Sequence, residues 1–311
     1  MDRLHAITAF VKVVEAGSFA RAAERLDVSV SSVSRLVTDL EAHLDARLLN
    51  RTTRRLSLTE TGRAFHERAV QLLADLAEAE QSAGAGTATP RGTLRLSCSV
   101  TFGTLYIAPA LAAMHTRHPE LEFDVEMSDR MVDLVDEGFD AAVRIGPVGG
   151  ENLVGRRVGS TRLVTCASPA YLAQHGTPKS PADLARHSCL LYRYAAQRDL
   201  WTFADRSGHV QRVRVGGPVH SNNGSFSAAM AVAGVGIAFE PDFIVGPDVR
   251  AGRLVPILQA FAPPPAGIHV VYASRRHLSA KVRALADFLG ERFATPEWAL
   301  EARKRPARGK A

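Results

Sequence analysis

The sequence predicts an α/β fold in two parts: a small helical N-terminal region and a larger region in which strands alternate with helices. The chain has 311 residues, enough for two or three domains of roughly 150 residues each. Apart from a short segment at 48–58, apolar residues recur at helical spacing up to residue 80, and strands alternating with helices begin after residue 90. Hydrophobic residues make up 46% and charged residues 23%, which is typical of a globular chain rather than a fibrous or disordered one.

The N-terminal region predicts three short helices. Leu4, Ile7, Val11 and Val14 form the apolar stripe of the first, which ends at Gly17. Ser18 can cap the second, and Ser29 the third, after a tight turn at Asp27-Val28. The third helix has its apolar side at Val33, Leu36 or Val37, Leu40 and Leu44.

The third helix shows Ser31, Arg35 and Thr38 on its other side. Two short helices joined by a tight turn, the second with a small polar outer face, fit a helix that enters the major groove of DNA. The alternative is that this polar side only faces water.

A basic segment follows the third helix. Residues 46–59 contain four arginines and no acidic residue, whereas residues 60–86 are acidic overall. The arginines are Arg47, Arg51, Arg54 and Arg55. Leu48-Leu49 and Leu56-Ser57-Leu58 flank the segment, so we expect a two-stranded wing whose cations contact phosphates.

The next helix carries an apolar seam at heptad spacing. Its members are Phe65, Ala69, Leu72, Leu76 and Ala79. Such a seam packs on a second copy of the chain or on its own domain; the first alternative is favoured. Residues 83–90 (AGAGTATP) then predict a hinge.

Residues 10–62 resemble the winged helix-turn-helix of the LysR-type transcriptional regulators. The shared motifs are Glu15-x-Gly17-Ser18-Phe19 with Ala22-Ala23, Val33-Ser34-Arg35 with Leu40-Glu41, Arg51-x-x-Arg54, and Leu58-Thr59-x-x-Gly62. Val30, Asp45 and Asn50 depart from the pattern, and Val30 offers only apolar contact, for example to a thymine methyl group.

The resemblance implies double-stranded DNA with a pseudo-palindromic operator, a homodimer or dimer of dimers, and RNA polymerase as a further partner. The predicted DNA-binding residues are Ser29, Val30, Ser31, Ser32, Ser34, Arg35, Thr38, Arg51, Thr52, Arg54 and Arg55.

The C-terminal region alternates strands and helices, which implies parallel strands with crossover helices. The first set is strand 93–100, helix 104–115, strand 121–127, helix 131–137 and strand 141–145. The second set is strand 162–166, a helix near Tyr171, a hairpin at 201–215, helix 225–233, strand 236–239, strand 268–273 and helix 279–293.

Residues 91–293 resemble the periplasmic-binding-protein-like effector domain of the same family. The matching runs are 139–146 (FDAAVRIG), 166–172 (CASPAYL) and 233–241 (AGVGIAFEP). The resemblance implies two lobes around a cleft that binds a small-molecule effector. Glu240 is more polar than the family's usual residue there; it faces either the cleft or solvent.

The effector site is predicted where strands end and helices begin, because ligands of open α/β sheets bind at such ends and free N–H groups there favour anions. We expect a small organic acid held by Ser99, Thr101 and Asn222 with Ile145 and Phe102 as apolar walls; the alternative is that these residues only cap helices. The predicted effector-binding residues are Ser99, Val100, Thr101, Phe102, Ile145, Asn222 and Phe239.

These patterns predict the following domains: 1–60 winged helix-turn-helix, 61–90 dimerisation helix and hinge, 91–295 effector domain, and 296–311 a basic disordered tail. Within 91–295, lobe I covers 91–161 and 268–293, and lobe II covers 162–267. The tail contributes +3 of the net charge of +6, so charge distribution says more than the total.

Other classes of protein have little support. The longest apolar run, 228–239, is shorter than the ~20 residues of a membrane span, and the N-terminus lacks a secretion signal, so a cytoplasmic protein is expected. A solute-binding protein would fit the two lobes alone. We find no catalytic motif, cofactor or metal site, His115-x-x-His118 lacking a third ligand. A redox sensor would need an exposed thiol, but Cys98 lies in an apolar strand.

Overall fold

The computed structural model describes residues 2–52, 55–84, 89–150, 152–195, 198–205, 207–273 and 278–300. The chain divides into two compact units, residues 1–88 and 89–311. Each unit is treated separately below.

The N-terminal unit consists of short helices, a two-stranded wing and a long helix. These are α1 (Arg3–Ala16), α2 (Phe19–Leu26), α3 (Val30–His43), β1 (Leu49–Thr52), β2 (Arg55–Leu58) and α4 (Glu60–Gly84). Gly17 ends α1 in the left-handed conformation (φ 62°), which glycine adopts at little cost. The helices and the wing therefore begin and end close to the predicted positions.

One core holds the N-terminal unit together. Phe10 of α1, Val33 and Val37 of α3 and Leu48 before the wing are fully buried in it. Leu44 was predicted on the buried side of α3 but is exposed, because it is the C-cap residue at which the helix ends.

The apolar seam of α4 only partly follows the prediction. Phe65 and Ala69 pack into the core of their own unit, where Leu73 joins them. Leu72, also a seam residue, is 49% exposed. The first turns of α4 thus pack within the unit, whereas Leu72 is exposed and Leu76 is half-buried. The side chain of Ala79 lies outside the described residues.

The C-terminal unit begins with β3 (Gly92–Cys98), α5 (Val100–Phe102), a π-helical turn (Gly103–Ile107), α6 (Ala108–Arg117), β4 (Leu121–Met127), β5 (Ala141–Ile145) and β6 (Leu153–Thr161). It continues with β7 (Leu163–Ala167), α7 (Pro169–His175), β8 (Ser188–Tyr192), β9 (Leu200–Ala204), β10 (Val210–Arg214), β11 (Gly216–Ser221), α8 (Gly224–Val232), β12 (Ala238–Pro241), α9 (Asp242–Arg250) and β13 (Val255–Ile257). It returns through β14 (Ala266–Ala273) and α10 (Ala280–Arg292).

The described strands form two groups, which we call lobe I and lobe II. Lobe I has a five-stranded sheet in the order β4-β3-β5-β14-β6. Lobe II contains β7 between β12 and β13, the pair β8 and β11, and the β9-β10 hairpin. The chain crosses from lobe I to lobe II after Thr161, whose hydroxyl hydrogen-bonds Asp242 at 2.6 Å.

The expectation of parallel strands is confirmed for β3, β4 and β5 but wrong for β14. In lobe I, β3 is parallel to β4 and β5, but β14 is antiparallel to β5 and β6. A parallel connection needs a crossover back to the far edge of the sheet. The chain instead re-enters lobe I from lobe II at the edge where β5 ends, so β14 runs in the opposite direction.

The predicted helix 131–137 is also wrong. Residues 134–138 form turns, and the Asp133 carboxylate accepts the N–H groups of Val135 and Asp136. Glu137 accepts the N–H of Asp133 and pairs with Arg130. These side-chain hydrogen bonds compete with those of a helix, of which one is made, from the Glu137 N–H to the Asp133 carbonyl at 3.0 Å.

The prediction that a disordered tail begins at residue 296 is wrong. Trp298 is buried in the lobe I core, where its ring packs against Phe102 and Phe293. Its indole N–H donates to the carbonyl of Ser160 at 3.2 Å. Burial of so large an aromatic side chain fixes this segment to lobe I, and the prediction for residues 301–311 falls outside the described part of the chain.

Candidate functional site

The turn between α2 and α3 determines where α3 begins. Asp27 ends α2 in the left-handed conformation (φ 54°), and Ser29 caps α3 by accepting the N–H of Ser32 at 3.1 Å. The Ser29 hydroxyl also hydrogen-bonds the hydroxyls of Ser31 (2.9 Å) and Ser32 (2.7 Å). Three of the predicted DNA-binding hydroxyls therefore belong to one network.

The outer face of α3 is polar except at its first residue. Ser31, Arg35 and Thr38 are exposed, whereas Ser34 is half-buried. The Thr38 hydroxyl donates to the Ser34 carbonyl at 2.8 Å. Val30 is 48% exposed, so an apolar surface stands beside the hydroxyl groups. The opposite side of α3 is buried in the core, and the polar face is turned to solvent.

Glu41 and Thr59 fasten the wing to the helices. A single Glu41 carboxylate oxygen accepts the N–H groups of Leu48 (2.8 Å) and Leu49 (3.0 Å). The Thr59 hydroxyl donates to the carbonyl of Arg47 at 2.7 Å. The sequence marked Glu41 and Thr59 only as parts of a family motif, and the structure gives both a positioning role.

Gly62 allows α4 to approach the wing closely. Its N–H donates to the Thr59 hydroxyl at 2.8 Å, and a Cβ atom on Gly62 would lie 1.9 Å from the carbonyl oxygen of Leu48. Any side chain there would push α4 away from the base of the wing.

The strands of the wing include three of the predicted DNA-binding residues. Arg51 and Thr52 lie in β1, which pairs antiparallel with β2 starting at Arg55. The side chains of these three residues, and the whole of Arg54, lie outside the described part of the structure. Their DNA contacts stay a prediction.

Two segments predicted to bind the effector meet directly. The hydroxyls of Thr101 in α5 and Ser225 in α8 hydrogen-bond at 2.7 Å. Since α5 belongs to lobe I and α8 to lobe II, this bond joins the two lobes directly. Asn222 is exposed, and the neighbouring Asn223 caps α8 by accepting the N–H of Phe226 at 3.0 Å.

A carboxylate of the protein itself accepts a hydrogen bond from the N–H group of Val100. The sequence predicts that this N–H group is free to bind a ligand. Val100 N–H donates to Asp129 Oδ1 at 3.0 Å. Burial raises the pKa of Asp129, and this hydrogen bond and the charge of Arg144 oppose the shift. An effector carboxylate would have to displace Asp129 here or bind elsewhere.

The predicted aromatic walls do not line the cleft. Phe102 is fully buried in the lobe I core, with its ring centroid 5.1 Å from that of Phe243. Phe239 is half-buried in the lobe II core, 5.1 Å from Trp201. Ile145 is half-buried beside the lobe I core. The two phenylalanines therefore stabilise the lobes. The strand and helix patterns could not show whether these side chains are buried or lie at the surface.

Buried acidic groups of lobe II lie near the cleft. Glu240 is buried, and burial raises its pKa to about 8, with the charge of Asp129 adding to the shift and a hydrogen bond from Ser227 opposing it. Burial also raises the pKa of Tyr192, and the charges of Asp129 and Glu240 act in the same direction. Glu240 therefore does not face solvent, one of the two alternatives that the sequence left open.

The structure gives no support to a metal site or a membrane span. His115 Nδ1 lies 3.1 Å from the carbonyl oxygen of Leu121. Among the described residues, no three His, Cys, Asp or Glu side chains are grouped so as to hold a metal ion. The described helices also include none that is both long and apolar enough to cross a bilayer.

The cysteines are poor candidates for redox sensing. Cys98, Cys166 and Cys189 are buried. Burial raises the pKa of Cys98 to about 11 and those of Cys166 and Cys189 to about 12. A reactive thiol needs a lowered pKa and access to solvent.

Two family models match the chain. The model of the bacterial regulatory helix-turn-helix proteins of the lysR family matches residues 4–63, and the model of the LysR substrate binding domain matches residues 87–294.

Similar proteins match over nearly the whole length. The chain is 42% identical over 286 residues to an uncharacterised HTH-type transcriptional regulator of Haemophilus influenzae, covering 92% of this chain and 99% of the relative. It is 36% identical to the HTH-type transcriptional regulator DmlR of Escherichia coli K12, covering 96% and 97%. Among solved structures, the LysR-type transcriptional regulator CrgA from Neisseria meningitidis is 34% identical, with a TM-score of 0.58 and coverage of 93% and 98%.

Proposed function

Because this chain belongs to the LysR family of transcriptional regulators and carries that family's effector-binding domain, we propose that it is a DNA-binding switch and that a small organic acid controls its binding to the operator. The observation that carries the proposal is the exposed polar face of α3, which follows a tight left-handed turn at Asp27 and is held in place by the core. A helix presented in this way fits the major groove.

The DNA contacts fall into two kinds. On α3, the side chains of Val30, Ser31 and Arg35 reach base edges and carry the sequence preference. On the wing, Arg51, Arg54 and Arg55 neutralise phosphates beside the groove, with Arg47 at the base of β1. The remaining predicted contacts, Ser29, Ser32, Ser34, Thr38 and Thr52, hold the helix and wing in register on the backbone.

The operator is a pseudo-palindrome read by a dimer or a dimer of dimers. A two-fold dimer presents two copies of α3, and each reads one half-site. Effector binding changes how the copies are spaced, which changes the bend in the DNA and the access of RNA polymerase.

The effector binds at the cleft between lobes I and II. Ser99, Val100, Thr101 and Asn222 offer polar groups and Ile145 an apolar one at the strand ends that border the cleft. The Thr101–Ser225 hydrogen bond, 2.7 Å between the hydroxyls, supports this placement, since it links the lobes and would respond to a ligand that separates or closes them.

Variants of the two DNA-contacting elements test the proposal. The preferred operator is first selected from randomised duplexes with the full-length protein, and affinities are then measured by fluorescence anisotropy at several salt concentrations. Arg35→Ala should weaken operator binding by about 1–3 kcal/mol while leaving affinity for random DNA nearly unchanged. Arg54→Ala should weaken both and lower the slope of log K against log salt by about 1.

Arg212→Ala, at an exposed arginine of β10 in the C-terminal unit, is the matched control and should bind like the wild type. If the wild type binds no duplex at low salt, the proposal is wrong. If Arg35→Ala weakens operator and random DNA equally, α3 is not the reading element.

A further inference from the structure

Arg144 stands at the edge of lobe I where ligands bind in open α/β sheets. It is the penultimate residue of β5. Strand β3 lies between β4 and β5 and is parallel to both. All three strands therefore end at the same edge of the sheet. The charge of Asp129 acts on Arg144 and also on Tyr192 and Glu240 of lobe II. The guanidinium therefore lies toward the side of lobe I that faces the cleft.

The guanidinium of Arg144 has no ion-pair partner among the described residues. It is half-buried and donates from Nη2 to the Ser97 hydroxyl at 2.9 Å, and none of the described carboxylate oxygens lies within 4.0 Å of it. Burial lowers its pKa. The nearby Arg130, by contrast, pairs through both Nη atoms with the Glu137 carboxylate and is exposed.

A partly buried cation whose direct hydrogen-bond partner is neutral is costly, because no ion pair offsets the loss of water. Arginine is suited to a planar carboxylate, which can accept two parallel hydrogen bonds from it. Arg144 is therefore better explained as a residue that binds an anionic ligand than as part of a structural ion pair.

An apolar pocket adjoins Arg144. It has a volume of about 320 Å³, open solvent included, and Arg144 forms part of its wall. The other walls include Val132, Leu134, Ala142 and Val148. A guanidinium at the border of an apolar pocket matches a molecule with one charged end and one compact hydrocarbon end.

We infer that Arg144 holds the carboxylate of the effector and that the apolar body of the same molecule enters the adjoining pocket. This inference rests on the proposed function and deepens it, since it assigns an anchor that the strand-to-helix turns do not supply. At those turns, Asp129 already accepts the N–H of Val100 and Asn223 that of Phe226.

The charges around the anchor favour a monocarboxylate over a dicarboxylate. Asp129 and Glu137 act electrostatically on Arg144, and the cation of Arg130 is engaged by Glu137. A second carboxylate on the ligand would lie close to these acidic groups, while the cation of Arg130 is already paired. The ligand class is therefore a small monocarboxylic acid with a branched aliphatic or aromatic body.

Calorimetric titration of the full-length protein tests the inference. The probes are isovalerate and benzoate, with succinate and the neutral benzamide for comparison. The wild type should bind at least one of the first two more tightly than succinate and should not bind benzamide. Arg144→Gln, which keeps an amide donor for Ser97, should weaken that binding at least about tenfold. Arg212→Gln removes the same charge from an exposed site and should bind like the wild type.

A second pair of variants avoids the interior in case Arg144→Gln fails to fold. Met131 lines the pocket and is 71% exposed. Met131→Glu should weaken binding of the monocarboxylate, and Met131→Lys should leave it equal or stronger, because only the sign of the added charge differs.

The possible results separate the two claims. The inference is overturned if the wild type and Arg144→Gln bind the acid equally, or if the two Met131 variants do. An organic-acid effector would then bind at another place in the cleft. Preference for succinate overturns the monocarboxylate class. Absence of binding by any acid to the wild type, which still binds operator DNA, rejects both the organic-acid effector and the role of Arg144.

Discussion

Val30 places an apolar side chain where the rest of the α3 face is polar. It is the first residue of α3 and 48% exposed, and the hydroxyls beside it are hydrogen-bonded to one another through Ser29. In the major groove, the only apolar group on a base edge is the C5 methyl of thymine. We therefore expect Val30 to read one thymine in each half-site.

Replacing each thymine of the selected operator by deoxyuridine, one position at a time, removes only a methyl group. At one symmetric position the wild type should lose about three- to fivefold in affinity, the value of roughly one buried methyl group. Val30→Ala should lose little or nothing there and bind both duplexes alike. A uniform response of wild type and Val30→Ala at every thymine would exclude this contact.

Glu240 should make the stability of the C-terminal unit depend on pH. Burial raises its pKa from 4.5 to about 8, so the folded protein keeps a proton that the unfolded chain releases above about pH 4.5. The free energy of unfolding must then fall as the pH rises from about 5 to 8. Glu240→Gln keeps the neutral form at every pH and should flatten this fall by roughly 2–4 kcal/mol.

Urea denaturation at pH 5, 6.5 and 8 measures the effect. Tryptophan fluorescence is a suitable signal because both tryptophans, Trp201 and Trp298, lie in the C-terminal unit. Glu120→Gln, at an exposed carboxylate, corrects for the loss of one titratable group. Equal pH dependence of the wild type and Glu240→Gln would show that Glu240 ionises in the folded protein as it does in the unfolded chain.

At the scale of single residues, the sequence placed side chains well only where one periodic pattern fixed them. The helical spacing of Val33 and Leu40 correctly predicted burial. Phe102 lies at the junction of a strand and a helix, where neither period applies, and its burial depends on Phe243 and Trp298. Contacts between residues so far apart in the chain have no local signature.

At the scale of elements, prediction succeeded where local signals agreed. The cap at Ser29, the helix end at Gly17 and the two-stranded wing were all visible in the sequence. Helix 131–137 failed although its apolar spacing was helical. Asp133 and Glu137 each bond backbone N–H groups within the segment, and Arg130 holds Glu137 in place. Side chains that compete with the backbone for hydrogen bonds can override periodicity.

The wing shows how one element depends on another. Glu41 on α3 binds the N–H groups that lead into β1, and Gly62 at the start of α4 touches the carbonyl of Leu48. A family motif predicted that these residues matter, but not that both act on the same short stretch of backbone. Their shared contact explains why the wing keeps a fixed position relative to α3 within the N-terminal unit.

At the scale of the whole molecule, the order of domains could be predicted and the details of the cleft could not. Composition and periodicity change near residue 90, and the two compact units separate at residue 88. The cleft forms between strands from distant parts of the chain, and it brings Asp129 near Tyr192 and Glu240. The unpaired charge of Arg144 was equally hidden, since pairing is a property of the folded chain.

We expect two copies of the protein to associate through α4. Phe65 and Ala69 are used within their own unit, but Leu72 of the same seam is 49% exposed. A leucine at a heptad position of a helix is of the residue type that packs between two helices of a coiled coil. A charge at Leu72 would be buried without compensation in such an interface, so Leu72→Glu should shift the protein from dimer towards monomer and weaken operator binding about tenfold or more.

Val70→Glu adds the same charge to a residue of the same helix that is 41% exposed and lies off the seam, and this variant should stay dimeric. Sedimentation velocity over a range of concentrations measures both variants; a dimer unaffected by Leu72→Glu, or one broken equally by Val70→Glu, would show that the seam of α4 is not the contact between copies.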